Sequence, residues 1–325
     1  MKATAQAPSN IAFIKYWGKK DEVLRLPENG SISMNLSDLL TTTTVEFSLG
    51  YKEDNIIING TKEPNEGSRA IKHLDRIRNI ANINDKAKVV TNNNFPTGTG
   101  LSSSASGFAA FTVAGAKAAG LSLSEKELSI LARQGSGSAC RSIPDGFVEW
   151  LDGNTSDTSY SVSLYPPSYW DIVDVVAIVS KEKKIVPTTE GQKLVGSSPF
   201  FPIRLEKIKN KIKLIKEYIA EKNFQAFGEV LEAEALELHS IMLTSKPSLI
   251  YLLPASLKIM HLVKKWRADG LQVYFTVNTG QDIHLICEKR DAEAVVKKLT
   301  EVEDVSRTIV NYPAKGAHLL KEHLF

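Results

Sequence analysis

The stretch PTGTGLSSSASGFAAFTVAGAKAAG, residues 96–120, constrains the fold more than any other part of the chain. It follows a strand-like run, AKVVTNNNF, and leads through a loop of glycines and serines into a series of small residues. The small residues predict a buried helix from about Ser103 to Ala119, closed by Gly120. We therefore expect a strand, a glycine–serine loop and a helix packed within the core.

The glycine–serine loop favours phosphate binding. Gly98 and Gly100 allow a tight turn and a close approach of the backbone to a ligand. Free N–H groups and the helix dipole at Ser103 favour an anion, and a serine hydroxyl there can reach a metal ion that bridges phosphates. No lysine follows the second glycine, so this is not the G-x-x-x-x-G-K-[ST] loop. An ordinary glycine-rich turn is the alternative interpretation.

Two further stretches also suggest an anion site. GSGSACRS, residues 135–142, offers the hydroxyls of Ser136 and Ser138 and the guanidinium of Arg141, which suits phosphate or carboxylate. An arginine that caps a helix C-terminus is the alternative there. In FIKYWGKK, residues 13–20, Lys15 ends an apolar run and is either a surface charge or a partner for an anion. The three stretches together favour an anion site more than any one of them.

The composition excludes several classes of protein. With 325 residues, 42% of them hydrophobic, the chain can bury a sizeable core, and its net charge of +3 is too small for a nucleic-acid-binding protein. Two cysteines cannot form a disulfide framework, and no CxxC suggests zinc. The N-terminus has no apolar segment typical of a signal peptide, and no apolar run approaches the ~20 residues of a membrane span. We expect a cytoplasmic protein with no membrane partner.

The remaining patterns predict a mixture of strands and helices. Residues 10–17 and 171–180 are apolar runs that predict strands. Asn59-Gly60 predicts a hairpin turn, and Ser124 with Glu127 forms a capping-box signal. Further elements are predicted at TTTTVEFSLG, SRAIKHLDRIRNIA, FGEVLEAEALELHSIML, PASLKIMHLVKKWRADG, QVYFTVNT, DIHLICEK and DAEAVVKKLTEV.

A run of charges marks the expected boundary between two domains. KEKK at 181–184 predicts a solvated turn, because such runs are usually solvated faces. The chain before it mixes strands with helices and the chain after it is mostly helical, beginning with an amphipathic pattern from Leu205 to Ile219. We place the boundary near 180–190 and expect domains over 1–184 and 185–325.

Several motifs together resemble the diphosphomevalonate decarboxylases, a branch of the GHMP kinase superfamily. They are APSNIAFIKYWGK at 7–19, NNFPTGTGLSSSASGFAA at 93–110, and GSGSACRS with GFVEW within 135–150. The resemblance continues through VPTTEG, ELHS and FTVNTG and so covers nearly the whole chain. It implies an α+β protein with the GHMP kinase fold: an N-terminal ribosomal-protein-S5-like α/β domain, a C-terminal ferredoxin-like α+β domain, and an active site in the cleft between them.

The resemblance also implies a reaction. Members of the family phosphorylate the 3-hydroxyl of mevalonate 5-diphosphate with ATP and Mg²⁺. The 3-phosphate then leaves as the carboxylate is lost as CO2, which gives isopentenyl diphosphate, ADP and phosphate. The family members are commonly homodimers, so a homodimer is expected here.

Site residues follow from the motifs that match. The resemblance assigns Lys15 and Arg141 to catalysis, and Ser103 to the magnesium that accompanies ATP. The residues matching the ATP-phosphate loop are Gly98, Gly100, Leu101, Ser102, Ser103 and Ser104. The residues matching the substrate site are Tyr16, Trp17, Gly18, Lys19, Arg69, Ser136, Gly137, Ser138, Ala139, Cys140, Arg141 and Thr189.

One position departs from the family pattern. Asn278 stands where the family has a catalytic aspartate, and an amide cannot accept a proton as a carboxylate does. A general base is worth ~10²–10⁴-fold in rate. Asn278 orients the hydroxyl without deprotonating it, or Asp282 supplies the carboxylate, or the chemistry or substrate has changed; neutral drift in a loop is the fourth interpretation.

Three other functions stay open on the sequence alone. A phosphomevalonate decarboxylase would accept the 5-monophosphate and release isopentenyl phosphate. A mevalonate 3-kinase would phosphorylate without decarboxylation, which the retention of Lys15 and Arg141 disfavours. A non-catalytic nucleotide-binding relative would show no turnover at all. His239 and His284 have no metal-ligand spacing and are interpreted as structural.

Overall fold

The computed structural model of the chain describes residues 1–64, 68–96, 98–180, 182 and 184–325. The strands within them are β1 (Lys2–Ile14), β2 (Lys19–Asp21), β3 (Leu26–Pro27), β4 (Ser31–Ser48), β5 (Asn55–Ile58), β6 (Thr61–Lys62), β7 (Lys86–Asn93), β8 (Phe147–Trp150), β9 (Ser161–Tyr165), β10 (Ile172–Ile178), β11 (Val273–Thr276), β12 (Ile283–Glu288), β13 (Arg307–Asn311) and β14 (His318–Leu320). The α-helices are α1 (Arg69–Ala81), α2 (Ser103–Ala118), α3 (Glu125–Gly135), α4 (Thr188–Lys193), α5 (Phe201–Glu221), α6 (Phe224–Thr244), α7 (Pro254–Ala268) and α8 (Ala292–Thr300).

The larger sheet is built around the long antiparallel pair of β1 and β4. Its strands run in the order β14-β1-β4-β7-β5-β6, and β8 and β9 extend it from the first half of β4. Helix α2 packs against this sheet, and α1 and α3 pack beside α2 in the same apolar cluster. Ala109, Ala110 and Ala114 of α2 are completely buried, because small side chains let the helix backbone approach the strands closely. The predicted small-residue helix is confirmed, and it positions the glycine–serine loop at its start.

The smaller sheet is antiparallel, in the order β11-β12-β10-β13. Helices α7 and α8 pack on one face of it, and α5 and α6 fill the space between the two sheets. Phe227 of α6 lies in one apolar cluster with Phe13 of β1 and Val176 of β10. The predicted α+β class with two sheet-containing units is confirmed. The boundary near 180–190 stays a prediction; β10, which precedes it, pairs within the smaller sheet.

The first predicted strand is wrong at its end. The apolar run predicts extended backbone over residues 10–17, but β1 stops at Ile14 and the chain leaves the sheet at Lys15. Side chains take the place of strand partners there. Glu234 accepts from the Lys15 N–H at 3.0 Å, and Asn29 and Arg204 each donate to the Lys15 carbonyl at 2.9 Å. Because these partners are far along the chain, no local pattern predicts the break.

Other local predictions are confirmed. The hairpin turns at Asn59-Gly60 between β5 and β6, and Ser124 with Glu127 forms the capping box of α3. Residues 135–142 continue α3 into a 3-10 helix, Gly137–Ser142. Among the residues that the structure describes, no helix has both the length and the apolar composition needed to cross a bilayer.

Candidate active site

Five segments of the chain enclose a cleft with a cavity volume of about 250 Å³. They are the end of β1 with the residues after it, the glycine–serine loop, the 3-10 helix, the start of α4 with the residues before it, and the turn after β11. Single residues from other elements, Arg25, Arg69 and Leu238, complete the lining. Predicted residues that line the cleft are Lys15, Tyr16, Arg69, Gly98, Gly100, Ser102, Ser103, Ser104, Ser136, Gly137, Ser138, Arg141, Thr189 and Asn278. Residues in the lining that were not predicted are Ala12, Arg25, Lys184, Pro187, Thr188, Gln192, Leu238 and Thr279.

Lys15 is almost completely buried, with 2% of its surface exposed. Its Nζ donates to the Ala12 carbonyl at 2.7 Å and to Oδ1 of Asn278 at 3.1 Å. Burial lowers the pKa of Lys15 to about 7, against the opposing effect of the Glu234 carboxylate. No carboxylate of the described residues directly contacts Nζ, so the charge of an ammonium in this position is available to an anion in the cleft.

A buried ion-pair network fixes the Lys15 backbone. Arg204 of α5 donates both to Glu234 of α6 and to the Lys15 carbonyl, and Lys211 donates to the other Glu234 oxygen at 3.1 Å. Burial alone would raise the pKa of Glu234, but the Arg204 guanidinium outweighs it and holds that pKa below its ordinary value. Helices α5 and α6 therefore fix the position of the Lys15 backbone through its N–H and its carbonyl.

Replacing Glu234 with glutamine is expected to destabilise the protein by about 3–5 kcal/mol at pH 7, because it leaves Arg204 buried with its main anionic partner removed. The stabilisation by Glu234 is present at neutral pH and is lost as pH falls through its depressed pKa, so the variant loses part of the acid dependence of stability. Urea denaturation at pH 7 and at acidic pH measures both. The control is Glu217→Gln, an exposed partner of Lys213 on α5, with an expected cost below about 0.5 kcal/mol. Equal costs in the two variants would contradict the prediction.

Arg141 is the second buried cation of the cleft. Its guanidinium donates to Ser33 Oγ at 3.1 Å, to Ser31 Oγ at 2.6 Å and to Asn10 Oδ1 at 3.0 Å. All three partners are neutral, and burial lowers the pKa of Arg141 to about 10, so it remains charged. The surrounding side chains orient the guanidinium without neutralising it, as an anion-binding group requires.

Asn278 connects Lys15 to the glycine–serine loop. Its Oδ1 accepts from Lys15, and its Nδ2 donates to Ser102 Oγ at 3.2 Å. His239 Nε2 donates to the Asn278 carbonyl at 3.0 Å, and burial lowers the pKa of this histidine to about 4, so it is a neutral donor. The structure thus brings Asn278 beside Lys15, with its amide orientation defined by donors and acceptors on both sides.

The glycine–serine loop presents the start of α2 to the cleft. Gly100 has φ +110°, a conformation that side chains rarely adopt, and a Cβ there would lie 2.5 Å from Cα of Gly280. Ser102 makes no side-chain cap on α2, so the N–H groups at the helix start face the cleft without that partner. The loop fits a phosphate group.

The loop also fits Mg²⁺ carried by a nucleotide. Among the described residues, no group of three or more His, Cys, Asp or Glu side chains could hold a metal ion. Mg²⁺ in phosphate sites commonly keeps several waters and binds through substrate phosphates with only one or two protein groups. Ser103, half-buried in the cleft lining, offers a hydroxyl for that purpose.

One end of the cleft, around Arg69, is positively charged. Arg69 donates to the Gly135 carbonyl at 2.9 Å and has no ion pair among the described residues. Burial, together with the nearby positive charge of Arg25, lowers its pKa to about 10. Tyr16, Ser136 and the two arginines line this end, which suits a phosphorylated group.

Lys184 was missed by the sequence analysis. It lies in the run KEKK, which predicts a solvated turn, and Glu182 is indeed exposed. For Lys184 that prediction is wrong: its Nζ donates to the Thr279 carbonyl at 2.7 Å, and burial lowers its pKa to about 8. The lysines at 181 and 183 lie outside the described residues. Arg25 was also missed, because its short hairpin carries no motif.

Some predicted site residues lie beside the cleft rather than in its lining. Trp17 is completely buried among apolar side chains, and Lys19 forms an ion pair with Glu22. Asp282 is 3% exposed; its Oδ1 accepts from the Val179 N–H at 3.0 Å, and burial raises its pKa. Also outside the lining are Gly18, Leu101, Ala139 and Cys140. Their predicted roles stay predictions.

The histidines have protein partners. His239 holds the Asn278 carbonyl, and His284 Nδ1 lies 3.0 Å from the Asp174 carboxylate on the neighbouring strand. Both side chains are buried. Each therefore orients backbone or side-chain groups near the cleft.

Comparisons with known proteins identify relatives over nearly the whole chain. A family model described as the diphosphomevalonate decarboxylase-like N-terminal domain matches residues 7–161. A second, described as the mevalonate 5-diphosphate decarboxylase C-terminal domain, matches residues 174–321. The chain is 36% identical to the diphosphomevalonate decarboxylase of Candida albicans over 315 residues, which cover 91% of this chain and 87% of that protein.

Solved structures give the same result for the fold. The chain is similar to the mevalonate diphosphate decarboxylase of Staphylococcus aureus, with a TM-score of 0.93, 37% identity and 98% of each chain covered. It is also similar to MDDEF solved in complex with MVAPP, AMPPCP and magnesium, with a TM-score of 0.93, 35% identity and 99% of each chain covered.

Proposed function

The chain belongs to the diphosphomevalonate decarboxylase family of the GHMP kinase superfamily, and from this membership we propose how its cleft performs the family reaction. That reaction is the ATP-dependent decarboxylation of mevalonate 5-diphosphate in the mevalonate pathway, which yields isopentenyl diphosphate, ADP, phosphate and CO2. The observation that carries the proposal is the pair of buried basic side chains, Lys15 and Arg141, beside the uncapped start of α2.

Arg141 holds the substrate carboxylate and the departing 3-phosphate. Its neutral partners Asn10, Ser31 and Ser33 support this role, because they leave the positive charge available. When charge develops in a dry site, electrostatic stabilisation by a preorganised cation commonly contributes more to the rate than any other effect. Lys15 supplies a second positive charge when it is protonated, and Asn278 orients the 3-hydroxyl.

ATP phosphates occupy the end of the cleft formed by the glycine–serine loop. Gly98, Gly100 and the N–H groups at the start of α2 bind them. The Ser103 hydroxyl would be a ligand of the Mg²⁺ that accompanies ATP. When bound, Mg²⁺ would neutralise part of the negative charge of the phosphates. Lys184, whose N–H donates to the Gly98 carbonyl and whose Nζ donates to the Thr279 carbonyl, adds a cation beside this loop.

The 5-diphosphate occupies the end formed by Arg25, Arg69 and Tyr16, with the serines of the 3-10 helix and Thr189 around it. Two arginines without carboxylate partners among the described residues support a highly charged group at this end. Lys19 would join them by exchanging its exposed partner Glu22 for the substrate.

Replacing Lys184 with methionine is expected to raise the KM for ATP about tenfold, with a smaller change in the KM for the mevalonate substrate. The reason is the loss of one charge-assisted contact worth roughly 1.5–3 kcal/mol, part of which its neighbours recover. Initial-rate kinetics with each substrate varied in turn measure the two constants. Lys193→Met is the control, because Lys193 is exposed and pairs with Glu190 on α4. An unchanged KM for ATP would remove Lys184 from the site.

The test of the function uses purified protein with Mg-ATP and either mevalonate, its 5-phosphate or its 5-diphosphate. ADP and CO2 are measured separately in each reaction. Equal amounts of ADP and CO2 with the 5-diphosphate are expected. Turnover with the monophosphate alone would identify a phosphomevalonate decarboxylase, ADP without CO2 a 3-kinase, and no turnover a nucleotide-binding relative.

We also propose a cytoplasmic homodimer. The exposed Leu236 and Leu243 support it, since they are seven residues apart and share one face of α6. Light scattering is expected to give twice the 35.8 kDa of one chain, and fractionation is expected to recover the enzyme with the cytosol. A mass of one chain at micromolar concentration would contradict the dimer.

A further inference from the structure

Lys15 occupies an unusual position for a lysine, since both acceptors of its Nζ are uncharged. The Ala12 carbonyl lies 2.7 Å away and the Asn278 amide oxygen 3.1 Å away. A carboxylate at position 278 would form an ion pair with Nζ and keep it protonated. The amide of Asn278 provides only a dipole. With an amide in place of the family's carboxylate, the protonated form of Lys15 is therefore less favoured.

Other charged groups near Lys15 do not replace that carboxylate. Glu234 binds the Lys15 backbone N–H and is engaged by Arg204 and Lys211, so its charge is already neutralised. Arg141 adds a second positive charge that disfavours an ammonium at Lys15.

Two more titratable side chains lie nearby on the surrounding elements. Asp174 is held by His284 at 3.0 Å and by Asn311 at 3.4 Å. His239 is kept neutral by burial. The surroundings thus favour an uncharged amine at Lys15, and its pKa of about 7 agrees with this.

We propose that Lys15 is the general base of this enzyme and takes the 3-hydroxyl proton that the family's aspartate would otherwise accept. The proposal rests on the proposed function, because it requires the 3-hydroxyl to react beside Asn278. Asn278 assists by accepting a hydrogen bond from the amine, which directs the Nζ lone pair away from the amide. Lys15 then needs no carboxylate to act.

The proton and the electrons balance in two steps. In the first, the 3-hydroxyl oxygen bonds to the transferred phosphorus, the bond between that phosphorus and ADP breaks, and the hydroxyl proton moves to Nζ. In the second, the bond to the carboxylate breaks, its electron pair forms the C=C bond, and the 3-phosphate leaves with the electrons of its C–O bond. Lys15, now an ammonium, stabilises the leaving phosphate and returns the proton to it. One residue therefore serves as base first and as cation afterwards.

The test compares pH profiles of kcat/KM for ADP formation in the native enzyme and in Asn278→Asp. In the native enzyme the rate is expected to fall about tenfold per pH unit below a pKa near 7, since only the free amine accepts a proton. In Asn278→Asp the acid limb is expected to move at least one unit lower, towards the range of a carboxylate. A native profile that is flat from pH 6 to 8 would overturn the proposal.

Lys15→Arg keeps the charge but cannot act as a base at neutral pH. Its expected effect is a loss of at least about a hundredfold in the native background and less than tenfold in the Asn278→Asp background. Equal losses in the two backgrounds would mean that the loss does not depend on proton transfer to Lys15, and would overturn the proposal. If the limb near pH 7 persists in Asp282→Asn, the assignment to Lys15 is supported; if the limb disappears there, Asp282 is the base.

A measurement without turnover covers variants that fold poorly. NMR of protein labelled with ¹³C at the lysine ε-carbons, assigned by difference with Lys15→Met, gives the pKa of Lys15 directly. A midpoint near 7 in the native protein and a higher one in Asn278→Asp are expected, whereas a native midpoint above about 9 overturns the proposal. Absence of ADP with every mevalonate substrate would instead overturn the proposed function, and the role of Lys15 with it.

Discussion

Replacing Arg141 with glutamine is expected to lower the rate of CO2 release by about 10²–10³-fold, the usual cost of removing one preorganised group that stabilises developing charge. The effect is large because, among the described residues, the guanidinium donates only to the neutral partners Asn10, Ser31 and Ser33, so its whole charge is available to the substrate. CO2 release and ADP formation are measured in parallel, and CO2 release is expected to fall at least as much as ADP formation.

Arg78→Gln is the matched control for Arg141. Arg78 is also buried, but Asp54 and Asp75 neutralise it at a distance from the cleft. Its loss is expected to cost about 3–5 kcal/mol of stability and to leave the rate of the folded enzyme within twofold. If Arg141→Gln retained CO2 release within threefold of the native rate, the role of Arg141 would be wrong.

Replacing Gly280 with alanine is expected to lower kcat/KM for ATP about a hundredfold, because displacement of reacting groups by about 1 Å can cost that much. A Cβ at this position would lie 2.1 Å from the Thr99 carbonyl oxygen and 2.5 Å from Cα of Gly100. Both contacts involve backbone, so the turn that carries Asn278 and the glycine–serine loop would have to separate. Steady-state kinetics with ATP varied measure the loss.

Gly107→Ala tests whether the effect of Gly280→Ala is specific to close packing. Gly107 lies within α2, and a Cβ there would meet nothing within 4 Å. The change is expected to leave kcat/KM unchanged and to stabilise the helix by up to ~1 kcal/mol. Similar kinetic losses in the two variants would mean that the loss in Gly280→Ala does not come from the close contact at Gly280, and the prediction would be wrong.

Features encoded by neighbouring residues were predictable from the sequence. Ser124 and Glu127 lie three positions apart, and small residues are frequent in the stretch after Ser103, so the capping box and the buried helix could be recognised locally. The end of β1 could not, because the partner that draws Lys15 out of the sheet, Glu234, is 219 positions away.

The same distinction applies to the cleft. Motif residues such as Arg141 and Ser103 are expected there from the sequence and do line it. Lys184 was missed because nothing in a local run of charges indicates that its Nζ will donate to the carbonyl of the distant Thr279. Trp17, which the resemblance assigns to the substrate site, is buried among apolar side chains outside the cleft lining, and its role stays a prediction. Motifs thus identify which segments converge, and packing decides which of their side chains face the substrate.

The network that joins Arg204 to Glu234 and to the Lys15 carbonyl has a consequence for how the enzyme tolerates mutation. Residues that do not contact a substrate set the position of the reacting amine. A substitution that weakens the contact between α5 and α6 is therefore expected to lower the catalytic rate. Thermostabilising substitutions along these two helices would, by the same connection, extend the temperature range over which the lysine keeps its alignment.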